Sequence, residues 1–339
     1  MKSFILLTIG IPTYNGGKYL RETVESVVAR IKESNRNDIE ILISENASTD
    51  QTRNIAKLCA LEFAPFVNVI YNSENIGFDR NIDQLFKNAN GRYVEILGDD
   101  DFLEPGHFDK LLAHLEGSHR ASAIILGVSF LDISTGKKQV VDWGSSDYSG
   151  LTGNDFFRKS LWRSAAISAV VIETIRWESR VLQKYYGTQW IHIAGLMHAL
   201  AKDANGSILC TNTVVVRVKN DRWQTNFGNQ FIAGLQHLAL LESMIALGYS
   251  NYVFNIFVEE RFRNNLRDII SICPIERSSR IQAFRIMFKY FKRKPTFWIL
   301  HIPAIICLGI LRPVYNMAMK TKRFYFTTYM NKNQVKKCV

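Results

Sequence analysis

At 339 residues, 47% of them hydrophobic, the chain can hold one large domain with an appendage or two domains, and its composition is that of a globular protein. Its net charge of +11 is unevenly placed: residues 277–339 hold 14 of the 42 Lys and Arg and none of the 31 Asp and Glu, leaving 28 against 31 before them. Such asymmetry points to an anionic partner for the tail. Five scattered cysteines without a Cys-x-x-Cys pair argue against a disulfide framework or a zinc site and suit a reducing cytosol.

The apolar start, MKSFILLTIGIP, is too short for a secretion signal, lacks a small-residue cleavage site and runs straight into PTYN. Phe4–Ile11 therefore reads as a buried strand ended by Pro12. Leu20, Val24, Val27, Val28 and Ile31 give Tyr19–Ile31 helical spacing. Ile39–Ile43 is a second strand, and Gln51–Phe63 a helix capped by Ser48, Thr49 or Asp50. Val67–Tyr71, Asp79–Ala89 and Tyr93–Leu97 continue the alternation as strand, helix, strand. This order predicts an α/β layer with a mostly parallel sheet, whose ligands bind beyond the carboxyl ends of the strands. Three polar clusters fall at those ends and should converge: Thr13-Tyr14-Asn15, Ser44–Asp50 and Asp99-Asp100-Asp101.

The acidic triplet carries most of the chemistry. Three adjacent carboxylates repel one another, and a hard divalent cation such as Mg2+ or Mn2+ is one reason to keep them together. The other reading is a solvated acidic turn before a helix at Phe108–Leu115. Further on, Ala121–Asp132, Ile167–Ile172 and Thr213–Val218 look like strands, and Gly136–Gly150 like a polar loop. Leu182–Ala201 contains a helix, and Phe231–Leu247 and Tyr252–Cys273 are amphipathic helices.

The succession PTYN (12–15), SENASTD (44–50), NIGFDRN (75–81) and LGDDDFLEPG (97–106) resembles the family 2 glycosyltransferases of GT-A fold, well over residues 3–115 and loosely over 160–225. NIGFDRN, the Gly-x-Asp-Asp form of the acidic motif and the Tyr-Gly-Thr segment at 186–188 make it most similar to abequosyltransferase-type enzymes of bacterial O-antigen synthesis. The resemblance implies a Rossmann-like GT-A domain over 1–230, a helical extension over 231–276, and a nucleotide-diphosphate sugar as donor. Pro12, Thr13 and Tyr14, with Asn15 beside them, would line the base slot. Glu45 stands where the family places an acid that accepts a hydrogen bond from the base, more often Asp. Asn75 and Gly77 would form a tight turn near the nucleotide, and Arg80 would either meet phosphate or pair with Asp79 or Asp83. Aligned on Pro105, the family's Asp-x-Asp falls on Gly98 and Asp100. That alignment makes Asp100 the metal ligand, Asp99 a ribose or metal contact, and Asp101 a supporting or capping residue, with Mn2+ or Mg2+ bridging the phosphates.

The family's Glu-Asp base is missing from Gly187–His192. His192 is a candidate base, metal ligand or core histidine, and Asp221 in VKNDRW a second candidate base or a turn residue. Arg222 and Trp223 could hold phosphate or stack on a sugar, and Trp143, Trp190 and Trp223 could line the acceptor site or merely pack. A nucleotidyltransferase would need a longer glycine-rich basic loop than TYNGGKY. A scaffold that binds nucleotide sugars without catalysis remains the non-enzymatic alternative.

In residues 277–339, Ile281, Phe284, Met287, Phe288 and Phe291 share one helical face, KRKP follows at 292–295, and a 16-residue apolar run fills 296–311. A spanning helix needs about 20 apolar residues. The expectation is therefore an in-plane or re-entrant anchor on an anionic leaflet, placing the protein at the cytoplasmic face of the inner membrane as a peripheral or monotopic enzyme. The acceptor expected there is a lipid-linked glycan. A packed helical subdomain with a solvated basic face is the alternative. Nucleic acid is not expected as a partner, because the basic residues are interleaved with aliphatic stretches.

Overall fold

The computed structural model describes residues 4–116, 120–141, 144, 146–160, 166–201, 205–218, 227–272, 277–307, 311 and 313. The chain divides into two compact units, residues 1–219 and 220–339.

The first unit opens with the expected alternation: β1 (Leu7–Thr13), α1 (Leu20–Ser34), β2 (Ile39–Glu45), α2 (Thr52–Glu62), β3 (Val67–Tyr71), α3 (Phe78–Asn88) and β4 (Tyr93–Ile96). Leu20, Val24, Val27, Val28 and Ile31 are the buried stripe of α1, as their spacing requires. Strands β1, β2 and β4 are almost wholly buried because helices cover the sheet, whereas β3, at its edge, buries only Val67. A short β5 (Phe102–Leu103) and α4 (His107–Glu116) follow the acidic turn. Next come β6 (Ala123–Asp132), β7 (Lys137–Val140), β8 (Tyr148–Leu151), α5 (Gly153–Ser160), β9 (Val170–Glu173), α6 (Ser179–Leu182), α7 (Ile191–Leu200) and β10 (Gly206–Val218).

The sheet order is β3-β2-β1-β4-β9-β6-β10-β5, with β7 on β6 and β8 on β10. Strands β3, β2, β1 and β4 pair in parallel, as does β6 with β10. Strand β9 lies antiparallel between β4 and β6, and β5, β7 and β8 are antiparallel to their partners. The sheet is therefore mixed, not mostly parallel. Hydrophobic runs reveal that a strand is buried but not which way it points. The polar stretch Gly136–Gly150 also holds strand β7 and the start of β8, both largely exposed, which composition alone had placed in a loop.

Register positions the site. Thr13 pairs with Glu45 and Glu45 with Tyr71, so β1, β2 and β3 end level. Gly10 pairs with Ile96, and the Leu97 N–H donates to the Gly10 carbonyl at 2.9 Å, so β4 delivers the acidic turn to the same edge.

The second unit is helical: α8 (Phe227–Ser243), α9 (Asn251–Ile272), α10 (Arg277–Phe291), a π-helical turn at Phe297–His301 and α11 (Ile302–Ile306). Its core gathers Leu235, Leu238, Ile269, Ala283, Met287, Phe291, Phe297, Ala304 and Ile305. Among the described residues no helix is long and apolar enough to cross a membrane.

One close approach tests the packing of the first unit. Trp177 stacks on Phe86 with ring centroids 3.7 Å apart, and a β-carbon at Gly195 would stand 2.1 Å from its ring. Gly195→Ala is expected to destabilise the unit by about 1–3 kcal/mol through overpacking, a fall in melting temperature of roughly 2–10 °C, checked by thermal unfolding.

Candidate active site

The three polar clusters meet at the carboxyl edge. The Thr13 hydroxyl donates to Asp99 Oδ2 at 2.6 Å, and the Thr23 hydroxyl to the Asp99 carbonyl at 3.1 Å. A β-carbon at Gly16 would stand 1.9 Å from Asp99 Oδ2, so only glycine lets the loop after β1 lie on that carboxylate. The same loop is fastened to the one after β2. Asn15 N–H donates to Ser48 Oγ at 3.0 Å, Thr49 N–H to Asn15 Oδ1 at 2.8 Å, and Gly17 N–H to Asp50 Oδ2 at 3.2 Å. Asn15 and Ala47, both at φ 54°, hold left-handed conformations that non-glycine residues rarely adopt. Asp50 Oδ1 accepts from Thr52 N–H at 2.9 Å, which makes Asp50, of the three candidates, the residue that satisfies the start of α2. Pro12 is half-buried at the end of β1, and Tyr14 is exposed beside it.

Glu45 is fully buried. Its Oε1 accepts from Ser48 N–H at 2.6 Å, while Oε2 has no hydrogen-bond donor, and Arg53 Nη1 stands 3.7 Å away. A buried carboxylate oxygen without a donor is costly, and a ligand N–H would relieve it. Beside it Arg53 lies 4.9 Å over the Tyr71 ring. A cavity of about 550 Å³ opens there, lined by Ser48, Asp50, Arg53, Asn54, Lys57 and Tyr71.

Four asparagines hold the turn after β3. Asn46 Nδ2 donates to Asn75 Oδ1 at 2.9 Å, Ile76 N–H to Asn46 Oδ1 at 3.0 Å, and Asn72 Nδ2 to Asn81 Oδ1 at 3.0 Å. Asn75 Oδ1 also accepts from Gly77 N–H at 2.9 Å, and Gly77 has φ 85°, so this is the tight turn the motif implied. Arg80 does not pair with Asp79 or Asp83. It is exposed and lies 5.1 Å over the Tyr186 ring. Both acids are already engaged: Asp83 accepts from Trp177 Nε1 at 2.7 Å, Ser179 Oγ at 2.6 Å and Tyr186 Oη at 2.7 Å. Asp79 accepts from Gln189 N–H at 2.9 Å and Ile191 N–H at 3.2 Å, capping α7 from another helix. Burial raises the Asp79 carboxyl above its ordinary value, against the pull of those amides.

The acidic turn has divided roles. Asp101 is buried, accepting from Ser168 Oγ at 2.5 Å and from the Arg217 N–H at 2.9 Å. Arg217 itself is buried between Tyr19 and Phe102, each ring 5.0 Å from its guanidinium, and pairs with Glu22 at 2.5 Å. Sequence reading overlooked Ser168 and Arg217, and named Asp79 only as a partner for Arg80, not as the cap of α7. A lone arginine in the apolar strand VVVRV, and a carboxylate on the apolar face of a helix, were the available signals. Asp99 and Asp100 remain half-buried at the edge. Among the described residues no group of three or more His, Cys, Asp or Glu gathers as a metal cage. Mg2+ or Mn2+ held with substrate phosphates needs only one or two carboxylates, so this pair of hard oxygen donors fits such an ion.

His192 lies on α7, 3% exposed, its ring 5.8 Å from Trp190 and 6.5 Å from Phe78. Trp190 is half-buried and stacked on it. Trp143, Asp221, Arg222 and Trp223 lie outside the described residues.

Burial, and then the charge of Asp100, push the Asp101 carboxyl from its ordinary 3.8 up to about 7. The native state thus binds a proton that the unfolded chain has released between those two values. Stability conferred by that proton is full below 3.8, falls as pH rises and is gone above about 7. In metal-free buffer, Asp101→Asn is expected to remove this part of the slope, at most about 1.4 kcal/mol per pH unit, in denaturant titrations across that window.

Residues 8–160 match the family model of glycosyl transferase family 2. The chain is 25% identical over 277 residues to the abequosyltransferase RfbV of Salmonella typhimurium, covering 77% of this chain and 80% of that one. It is 32% identical over 104 residues to an uncharacterized glycosyltransferase of Rickettsia prowazekii, covering 31% of this chain and 30% of that one. Residues 1–349 of S. aureus TarS, solved in complex with UDP-GlcNAc, superpose with a TM-score of 0.65 at 13% identity, covering 93% of this chain and 92% of that one. The mannosyltransferase PcManGT of Pyrobaculum calidifontis, solved with GDP-Man and Mn2+, does so with a TM-score of 0.51 at 13% identity, covering 93% and 84%. The fold is GT-A-like, residues 8–160 are a glycosyl transferase family 2 domain, and the chain is a glycosyltransferase.

Proposed function

We propose that the enzyme moves a sugar from a nucleotide-diphosphate sugar to a hydroxyl of a glycan, a lipid-linked one, in the synthesis of a bacterial surface polysaccharide. The observation that carries the donor site is the meeting of Glu45, Thr13, Asp99 and Asp100 at one edge of the sheet, where Glu45 keeps a buried oxygen without a hydrogen-bond donor. A TarS structure bound to UDP-GlcNAc and a PcManGT structure bound to GDP-Man with Mn2+ support a donor of this class. Likeness to RfbV supports the polysaccharide acceptor.

In this reading Glu45 Oε2 accepts an N–H from the nucleobase, and Pro12, Thr13 and Tyr14, with Asn15, line its slot. The Asn75–Gly77 turn and Arg80 stand beside the nucleotide. Asp99 and Asp100 hold Mn2+ or Mg2+, which when bound neutralises charge on the departing diphosphate. Asp101 stays out of contact with substrate and fixes the turn through Ser168 and the Arg217 amide. Trp190, Arg222 and Trp223 contact substrate, and His192 or Asp221 takes the proton of the acceptor hydroxyl.

The test is release of nucleoside diphosphate from a panel of nucleotide sugars, with and without a glycan acceptor. Asp100→Ala is expected to cut turnover by about 10²-fold or more. Unchanged transfer would overturn the donor site. Asp221→Asn and His192→Gln identify the base: the true one loses about 10²–10⁴-fold in kcat, while the other keeps its rate.

A further inference from the structure

One helical segment of the C-terminal unit is apolar on both sides. Facing inward, Phe297, His301, Ala304 and Ile305 are buried, and His301 stacks on Phe262 at 4.6 Å. Facing outward, Trp298, Ile299, Leu300 and Ile306 are 49%, 69%, 46% and 69% exposed. A helix at a protein surface normally turns a polar face to water, and a contiguous apolar one marks a contact with something else. Phe288 extends the patch, its ring edge-on to Trp298 at 5.9 Å.

The rim of the patch is cationic. Lys292 lies 5.3 Å over the Phe288 ring, and the Trp298 indole N–H donates to the Lys292 carbonyl at 3.0 Å. Lys292 and Arg293 are both exposed. An indole with its N–H satisfied and its body bare, next to basic side chains, suits a boundary between water and hydrocarbon.

We propose that the outer face of residues 297–307 docks in the plane of an anionic lipid bilayer, with Trp298, Ile299, Leu300 and Ile306 entering the headgroup boundary and Lys292 and Arg293 drawing it to negative charge. The proposal deepens the lipid-linked-acceptor reading above and rests on it only for why a membrane should be near. Among the described residues no helix is long and apolar enough for a full span. A second copy of the chain fits less well, because a two-fold contact through this patch would bring Lys292 and Arg293 against their own like charges. Residues 277–339 contain no acidic side chain to offset them. An anionic leaflet supplies both the apolar depth and the opposite charge.

The test is sedimentation of the full-length chain with vesicles of phosphatidylcholine alone and of phosphatidylcholine with phosphatidylglycerol. Binding is expected to the anionic vesicles and to persist in part at high salt. Trp298→Ser with Ile299→Ser is expected to weaken it by about tenfold or more, as lost burial of two large apolar side chains implies. Lys292→Ser with Arg293→Ser should remove the salt-sensitive part. Both double variants should keep the melting shift given by nucleoside diphosphate, which separates loss of docking from loss of fold or of the donor site. No binding by the wild type, or equal binding by the apolar variant, would overturn the proposal. So would a solution dimer that the apolar variant dissociates, because a second copy would then cover the face.

Discussion

A carboxylate drawn out of water must be met by hydrogen-bond donors, and that requirement organises the carboxyl edge of this sheet. Asp99, Asp101 and Asp79 take donors from distant segments, while Glu45 takes its donor from three residues further along its own loop. Asp99 is met by Thr13, Glu45 by the Ser48 amide, Asp101 by Ser168 and the Arg217 amide, and Asp79 by the amides that open α7. The long-range bonds tie together loops far apart in sequence, so the acids that make the site are also its fasteners. Glu45 Oε2, which has no hydrogen-bond donor, and the half-buried carboxylates of Asp99 and Asp100 are what the edge presents to a ligand.

Strand register lets so many acids meet. Because β1, β2 and β3 end level and β4 runs on from them, the loops leaving the sheet share one floor. The left-handed backbone at Asn15 and Ala47, the positive φ at Gly77 and the close approach of Gly16 to Asp99 are where the chain bends to keep those loops close. Strain at such positions persists only where surrounding bonds over-determine it, as the Asn15, Ser48 and Thr49 bonds do here.

The part of this that sequence made legible is the part governed by local pattern. Apolar runs and helical spacing located β1 to β4 and the helices between them, and polar clusters at strand ends pointed to the edge where Thr13, Glu45 and Asp99 meet. Long-range choices were not legible. The reversal of β9 depends on what lies beside it, not on its own residues. The exposed strands β7 and β8 are paired by neighbours and lack the apolar alternation that identifies a half-buried strand. Arg80 was read as meeting phosphate or pairing with Asp79 or Asp83, and the second use is closed because both acids accept from the segment at 177–191. The role of Arg217 was hidden for the same reason: its amide serves Asp101, 116 positions away.

The central claim is that this edge binds a nucleoside diphosphate through Glu45 and the Asp99–Asp100 pair. The most direct measurement is the melting temperature of the full-length chain with UDP, CDP, GDP and dTDP, each with and without Mn2+, since a ligand that binds only the folded state raises it with affinity and concentration. The account predicts a shift with one of these nucleotides that depends on Mn2+ and is lost in Asp100→Ala. No shift with any of the four, or a shift indifferent to both the metal and Asp100, would contradict it.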